Sequence, residues 1–295
     1  MSRKFLQLTR RYAVVLILLA MMVGGAGCAV KRTIHVSLPQ MAGPPKQATL
    51  AELVKKVDAW SQDIQTLVAT VEFKPTTGSV YTGVIKEYQN VGGFILLKKP
   101  ATIRIIGQAP VVKTEIFDMV SDGKEFRVFI PPKNKFIVGS DTYRGPSKKP
   151  LENLRPQHIL DALLIPPIDK STERYFNEEV ETSTARYYVV NIVELSNTGE
   201  LSLMRRVWFD RSDLRISRLQ LYGPHGSLLE DVRYADYRDF QGIRYPAKIM
   251  LSRPAEDYAL SITIEKATFN QPIPAEKFIL KKPPNATLVE LGGGQ

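Results

Sequence analysis

The chain has one cysteine, Cys28, so it carries neither an internal disulfide framework nor a cysteine-rich zinc site. Its three histidines, His35, His158 and His225, lie far apart, which is thin material for a metal centre. Nowhere is there an apolar run of about 20 residues, the length that crosses a bilayer as a helix. Also missing are a glycine-rich phosphate loop, a GxSxG elbow, an HExxH pair and an EF-hand loop. No βαβ rhythm is seen, which argues against a parallel sheet. No cofactor is implied. What is present is 295 residues, 44% of them hydrophobic, enough for a sizeable core and incompatible with a disordered chain. That length admits one large domain or two small ones.

The basic residues are unevenly placed. Residues 1–27 hold Arg3, Lys4, Arg10 and Arg11 with no acid, then an apolar run from Tyr12 to Val23, then small residues. This is the pattern of a secretory signal peptide cut before Cys28. Its removal lowers the formal charge from +10 to +6. The residual basic doublets, Lys98-Lys99, Lys148-Lys149, Arg205-Arg206 and Lys281-Lys282, are scattered and not interleaved with aromatics, so no nucleic-acid partner is expected. Ala26-Gly27-Cys28 resembles the lipobox of bacterial lipoproteins, with Gly25 where that pattern usually has Leu. The resemblance implies acylation of Cys28 (palmitate or a similar chain), and several acyl chains anchor a protein stably where one does not. Ala29 instead of Asp is similar to the sorting pattern for the outer membrane. Thr9-Arg10-Arg11-Tyr12 resembles a twin-arginine signal, although general secretion is the default.

Residues 28–48, with Pro39, Pro44 and Pro45, read as the lipidated N-terminus and a tether. A domain is expected over 49–290 and a flexible tail over 291–295. Thr49 and Glu52 form a capping-box pair, and Leu50, Leu53, Val54, Val57, Trp60, Ile64 and Leu67 recur at helical spacing, which predicts a helix of about five turns. After it the period changes to two. Strands are expected over 68–74, 80–88, 94–98, 102–108, 115–120, 125–131 and 135–138, with Asp122-Gly123 as a tight turn. A polar stretch, 139–156, leads to a short helix ending at Pro166-Pro167. His158, at its start, reads as a surface or capping residue. Six more strands follow between Tyr187 and Asn270, separated by turns such as Asn197-Thr198-Gly199. About a dozen strands and two helices make a mainly β (α+β) domain. Its strongly curved antiparallel sheet forms an incomplete barrel covered by helices.

Adjacent carboxylates, Glu178-Glu179 and Glu230-Asp231, face opposite ways on a strand and make no natural acid/base dyad. The chain is not expected to be an enzyme. A hydrolase would require titratable groups converging from different strands.

Three stretches, in order, resemble the LolA/LolB lipoprotein-carrier superfamily. They are Gly92-Gly93-Phe94-Ile95-Leu96-Leu97-Lys98-Lys99-Pro100 with Ile103-Arg104-Ile105, then Val120-Ser121-Asp122-Gly123-Lys124 with Phe126 to Pro131, and then Phe269-Asn270-Gln271-Pro272-Ile273-Pro274 with Phe278. The resemblance spans roughly 49–290. It implies a helix-lidded half-barrel whose apolar inner face holds acyl chains of lipids or lipoproteins. LolA is soluble and LolB is itself an outer-membrane lipoprotein, so a lipobox on this domain implies a LolB-like envelope protein facing the periplasm and working with a periplasmic carrier or envelope partner. Period two selects Ile103, Ile105, Phe117, Met119, Phe126, Val128, Ile130, Leu219, Leu221 and Ile262 as inward residues, with Leu160 and Leu164 on a lid. Arg104 points outward. The alternative within the same fold is an envelope-stress sensor or scaffold that binds proteins.

Overall fold

The computed structural model describes residues 44–79, 84–143, 153–196 and 199–291. The leader, Cys28, the tether through residue 43 and the tail 292–295 lie outside the described residues. So do 80–83 of one expected strand, 144–152 of the polar stretch and 197–198 of one turn.

Helix α1 (Leu50–Gln62) begins as its capping box dictates: Glu52 N–H donates to Thr49 Oγ1 at 3.3 Å, and Thr49 N–H donates to Glu52 Oε2 at 2.7 Å. It is shorter than the five turns its apolar spacing predicts, with 13 residues. Ile64 and Leu67 are buried in the same core but belong to the segment after it. The chain leaves the helix because distant groups claim its backbone. Gln65 N–H donates to Asn270 Oδ1 at 2.8 Å, Asn270 Nδ2 donates to Asp63 O at 2.7 Å, and Thr66 already pairs with Lys98.

The strands are β1 (Thr66–Ser79), β2 (Val84–Glu87), β3 (Val91–Lys98), β4 (Thr102–Gln108), β5 (Glu115–Ser121), β6 (Glu125–Ile130) and β7 (Lys135–Ser140). After helix α2 (Pro156–Leu163) come β8 (Glu173–Glu181), β9 (Arg186–Leu195), β10 (Leu201–Asp210), β11 (Arg215–Tyr222), β12 (Leu228–Phe240), β13 (Ile243–Arg253), β14 (Tyr258–Phe269) and β15 (Thr287–Leu291). All belong to one open sheet in the order β15-β7-β6-β5-β4-β3-β1-β14-β13-β12-β11-β10-β9-β8, with β2 folded onto β1. Each half is a meander. The first runs outward from β1, and the second returns from the far edge until β14 pairs antiparallel with β1. Every pairing is antiparallel except β15 on β7. Two strands escape the sequence reading. β8 (ERYFNEEVE) is a polar edge without apolar alternation, and β15 is short and contributes little to the core.

Connecting the two meanders, α2 contacts β4 and β5 of the first and β13 of the second. Its Ile159, Leu160, Ala162 and Leu163 join Leu53, Val54 and Val57 of α1 in one apolar core with the inward residues of both halves. The fold is therefore a mainly β, incomplete barrel with a helical cover over its inner face. On the outer face, Arg104 makes a two-pronged contact with Asp118 (3.0 and 2.7 Å) and donates to Lys277 O at 2.7 Å. A small second cluster, Val120, Phe136, Leu280 and Ala286, fastens the C-terminal segment there.

The paired glycines of β3 differ in what surrounds them. A Cβ on Gly93 falls 2.1 Å from the Ile106 carbonyl oxygen of the neighbouring strand, whereas on Gly92 its nearest neighbour is the flexible end of Lys113 at 3.8 Å. Gly93→Ala is expected to lower unfolding free energy by about 1–3 kcal/mol or more, as overpacking against backbone does, and Gly92→Ala to be near neutral. Urea denaturation of both variants checks this; equal midpoints would contradict it.

Candidate functional site

The inner face is apolar, but what holds α2 over it is polar. Pro156 opens α2 at a position where the missing N–H costs nothing. The other end presents carbonyls with no partner inside the helix. Three side chains take them: Tyr234 Oη donates to Ala162 O at 2.9 Å, Tyr245 Oη to Leu163 O at 2.7 Å, and Trp60 Nε1 to Leu163 O at 3.3 Å. Burial holds the Tyr234 and Tyr245 hydroxyls well above the usual tyrosine pKa, so both stay protonated donors. Their rings gather around Trp60, at 5.3 and 5.2 Å between centroids, with Tyr237 edge-on at 6.3 Å. Helix α1, helix α2 and strands β12 and β13 thus meet at one aromatic junction.

The structure brings together the residues that period two selects. Ile103, Ile105, Met119, Phe126, Val128, Leu219 and Ile262 are buried on the inner face, and Leu160 and Leu164 are buried on the α2 side. Phe117, Ile130 and Leu221 are half-buried against the same cluster. Phe117 meets Phe73 at 6.2 Å between rings. The twelve residues therefore share one core beneath the two helices. Depressions of about 660, 480 and 360 Å³ among the described residues are lined by other side chains.

A cluster of titratable groups sits at the other end of α2, and the sequence reading missed it. Glu230 and Asp231 do face opposite ways. Asp231 pairs with Arg218 on the outer face at 2.6 Å, but Glu230 is fully buried on the inner face. Glu230 Oε2 accepts from Arg253 Nη1 at 2.9 Å, and Arg253 also donates to Glu256 Oε1 at 3.0 and 2.7 Å. Glu230 Oε1 is buried without a hydrogen-bond partner among the described residues. Burial, with Asp161 of α2 adding to it, pushes the Glu230 pKa up to about 8 against the opposing pull of Arg253. His158 corrects the sequence reading: it is buried, not a surface or capping residue. Its Nδ1 lies 2.5 Å from Tyr258 Oη and 4.0 Å from Glu256. His158 lies on a different face of α2 from Leu160 and Leu163, one turn before Ala162, and meets Tyr258 of β14. Among the described residues no three His, Cys, Asp or Glu side chains form a metal-sized site.

The largest of the three depressions, about 660 Å³, opens beside the aromatic junction. It is lined by Trp60, Gln62, Asp63 and Ile64 at the end of α1, by Gly242 to Tyr245 at the β12–β13 turn, and by Asn270.

No family model matches the sequence, and no curated protein matches it. Solved structures do. One is a LolA superfamily protein from Nitrosomonas europaea, 13% identical, covering 79% of this chain and 99% of that one, with a TM-score of 0.48. Another is a domain from Vibrio parahaemolyticus assigned by inference to outer-membrane lipoprotein sorting, at 12%, 77% and 94%, with a TM-score of 0.49. A third is a DUF1329 family protein from Desulfovibrio piger, at 13%, 77% and 94%, with a TM-score of 0.52. This last likeness shows a shared fold, and at such identity a likeness speaks to fold alone.

The buried Glu230 sets a pH dependence whose sign follows from its raised pKa. The folded state holds a proton that the unfolded state releases near pH 4.5, so its contribution to stability is full below that pH and is lost as pH rises toward about 8. Glu230→Gln keeps the shape of the neutral acid and removes the titration. The melting temperature of the wild type is expected to fall from pH 5 to 8.5 more steeply than that of the variant. Parallel curves in thermal scans across that range would refute the assignment.

Proposed function

We propose that the protein is a membrane-anchored envelope lipoprotein that binds acyl chains of lipids or lipoproteins under α2, for transport or sorting at the outer membrane. One observation carries the reading. An apolar face contributed by both halves of the sheet is covered by a separate helix, α2, whose C-terminal end is fastened by three side-chain hydrogen bonds. A helix held this way can be exchanged for another apolar body of similar shape. Each methylene buried contributes about 0.8 kcal/mol, so a chain of ordinary length compensates for displaced helix contacts without being trapped. No covalent step is needed, and the protein acts by binding and release, not as an enzyme. Ile103, Ile105, Phe126 and Ile262 from the sheet, with Leu160 and Leu164 from the lid, are the side chains we assign to the acyl chain. The lipobox resemblance at Cys28 supports a site on the periplasmic side of the outer membrane, tethered by the acylated N-terminus. A second reading, a scaffold that docks a protein partner, is favoured by the β4–β5 hairpin tip, where Val111 and Val112 are 89% and 69% exposed.

Mass spectrometry of lipids extracted from purified Cys28→Ala protein tests the main reading. Stoichiometric lipid or acylated peptide is expected, and protein that is empty and remains empty when offered lipid would favour the scaffold. The lid has its own test. Tyr234→Phe with Tyr245→Phe removes two of the three fastenings; Leu163 O keeps its bond from Trp60 and Ala162 O loses its side-chain donor, at a cost of about 1–3 kcal/mol. Uptake of a fluorescent fatty acid by stopped flow is expected to quicken severalfold. Lower stability with unchanged uptake would show that α2 does not gate the face.

A further inference from the structure

The 660 Å³ depression beside the aromatic junction has two electrically different walls. On the α1 side stand the carboxylate of Asp63 and the C-terminal end of a helix whose last turn has no basic residue. A helix end of this kind carries partial negative charge. Lys99 is near enough to feel Asp63, but its ammonium donates to Ser61 Oγ at 3.1 Å. On the hairpin side stands Arg244, exposed. Neither the Arg244 guanidinium nor the Asp63 carboxylate forms a hydrogen bond or ion pair with another side chain among the described residues. The floor is apolar and aromatic: Ile64 and Tyr245 are buried, and Trp60 and Ile243 half-buried. Trp60 and Tyr245 are also the side chains that hold Leu163 O of the lid.

A depression negative on one wall, positive on the other, floored by an indole and continuous with the lid fastening suits a ligand that is itself dipolar and carries an apolar tail. We infer that it receives the head group of a zwitterionic phospholipid, with the phosphate on Arg244 and the ammonium against Asp63 and the Trp60 ring. A guanidinium holds phosphate through paired, charge-assisted hydrogen bonds, and an indole face attracts an ammonium. A volume of this size is within the range of small-molecule sites. A ligand seated there touches Trp60 and Tyr245, so head-group binding and loosening of α2 act on the same two side chains. This inference rests on the acyl-chain reading above and names the class of lipid.

The test uses the full-length Cys28→Ala protein and four probes with matched sixteen-carbon chains, titrated calorimetrically below micelle formation: palmitate, and lysophospholipids with ethanolamine, choline and glycerol heads. Both zwitterionic lysolipids are expected to bind about tenfold more tightly than the glycerol one, a difference of about 1.4 kcal/mol. Asp63→Asn should remove most of that preference by weakening only the two zwitterionic lysolipids, and Arg244→Ala should weaken all three lysolipids alike, since each carries the phosphate. Both residues are exposed, so the variants should fold, and circular dichroism verifies it. Equal affinity for all heads, a preference for the glycerol head, a zwitterion preference that survives Asp63→Asn, or lysolipid affinities unmoved by Arg244→Ala would overturn the head-group site while leaving acyl binding intact. If soluble glycerophosphoethanolamine binds as tightly as its lysolipid, the site reads a free phosphodiester and the lipid assignment is wrong. Failure of palmitate and every lysolipid to bind would sink the acyl-chain reading itself, and this inference with it.

Discussion

Everything in the molecule depends on the pairing of β1 with β14. Residues 66–79 and 258–269 lie nearly the whole domain apart in sequence, yet they run side by side from Leu67↔Phe269 to Thr77↔Tyr258. Without that seam the chain would be two separate meanders, each with an apolar face and nothing to cover it. With it, the two faces become one, too wide for its own side chains to fill. Covering it then falls to α1 and to α2, the connection between the meanders. The lid is therefore a consequence of the topology: a chain that finishes one meander at β7 and starts the next at β8 must cross the sheet to get there.

Polar groups placed inside such a face are expensive unless they are paired. Two solutions occur at the two ends of α2. At its C-terminal end, aromatic hydroxyl and indole donors meet helix carbonyls, and each satisfies a group that the helix itself leaves open. At its N-terminal end, Glu230, Arg253, Glu256, His158 and Tyr258 form a charged network around a carboxyl that burial drives toward its neutral form. The first arrangement is neutral and indifferent to ordinary pH. The second is coupled to protons. A helix fastened in both ways has one end whose hold depends on geometry and another whose hold depends on ionisation as well.

Much of this was legible in the residues. The capping box at Thr49 and Glu52, the period-two runs of β4 and of the first half of β14, the Asp122-Gly123 turn and the inward set from Ile103 to Ile262 all follow from local chemistry, and the structure places them accordingly. The end of α1 did not follow, because Ile64 and Leu67 satisfy a helical face and a strand equally well. What decides is Asn270, some two hundred residues away, which takes the backbone of Gln65 and Asp63. β8 was hidden for a related reason. An edge strand protects itself with charge, and Glu173, Glu178, Glu179 and Glu181 erase the alternation that would reveal it.

The sequence by itself determined which side chains are apolar on alternate positions, where turns fall, and that a curved antiparallel sheet with two helices must form, because those properties depend on neighbours within a few residues. Only the tertiary structure decided that Glu230 lies in the core while Asp231 meets Arg218 outside, that His158 is buried against Tyr258, and that Trp60, Tyr234 and Tyr245 converge on the end of α2. The physical reason is the same in each case. A polar side chain takes its role from whichever partner the sheet register brings within about 3 Å, and that register is set by pairings that span the whole chain.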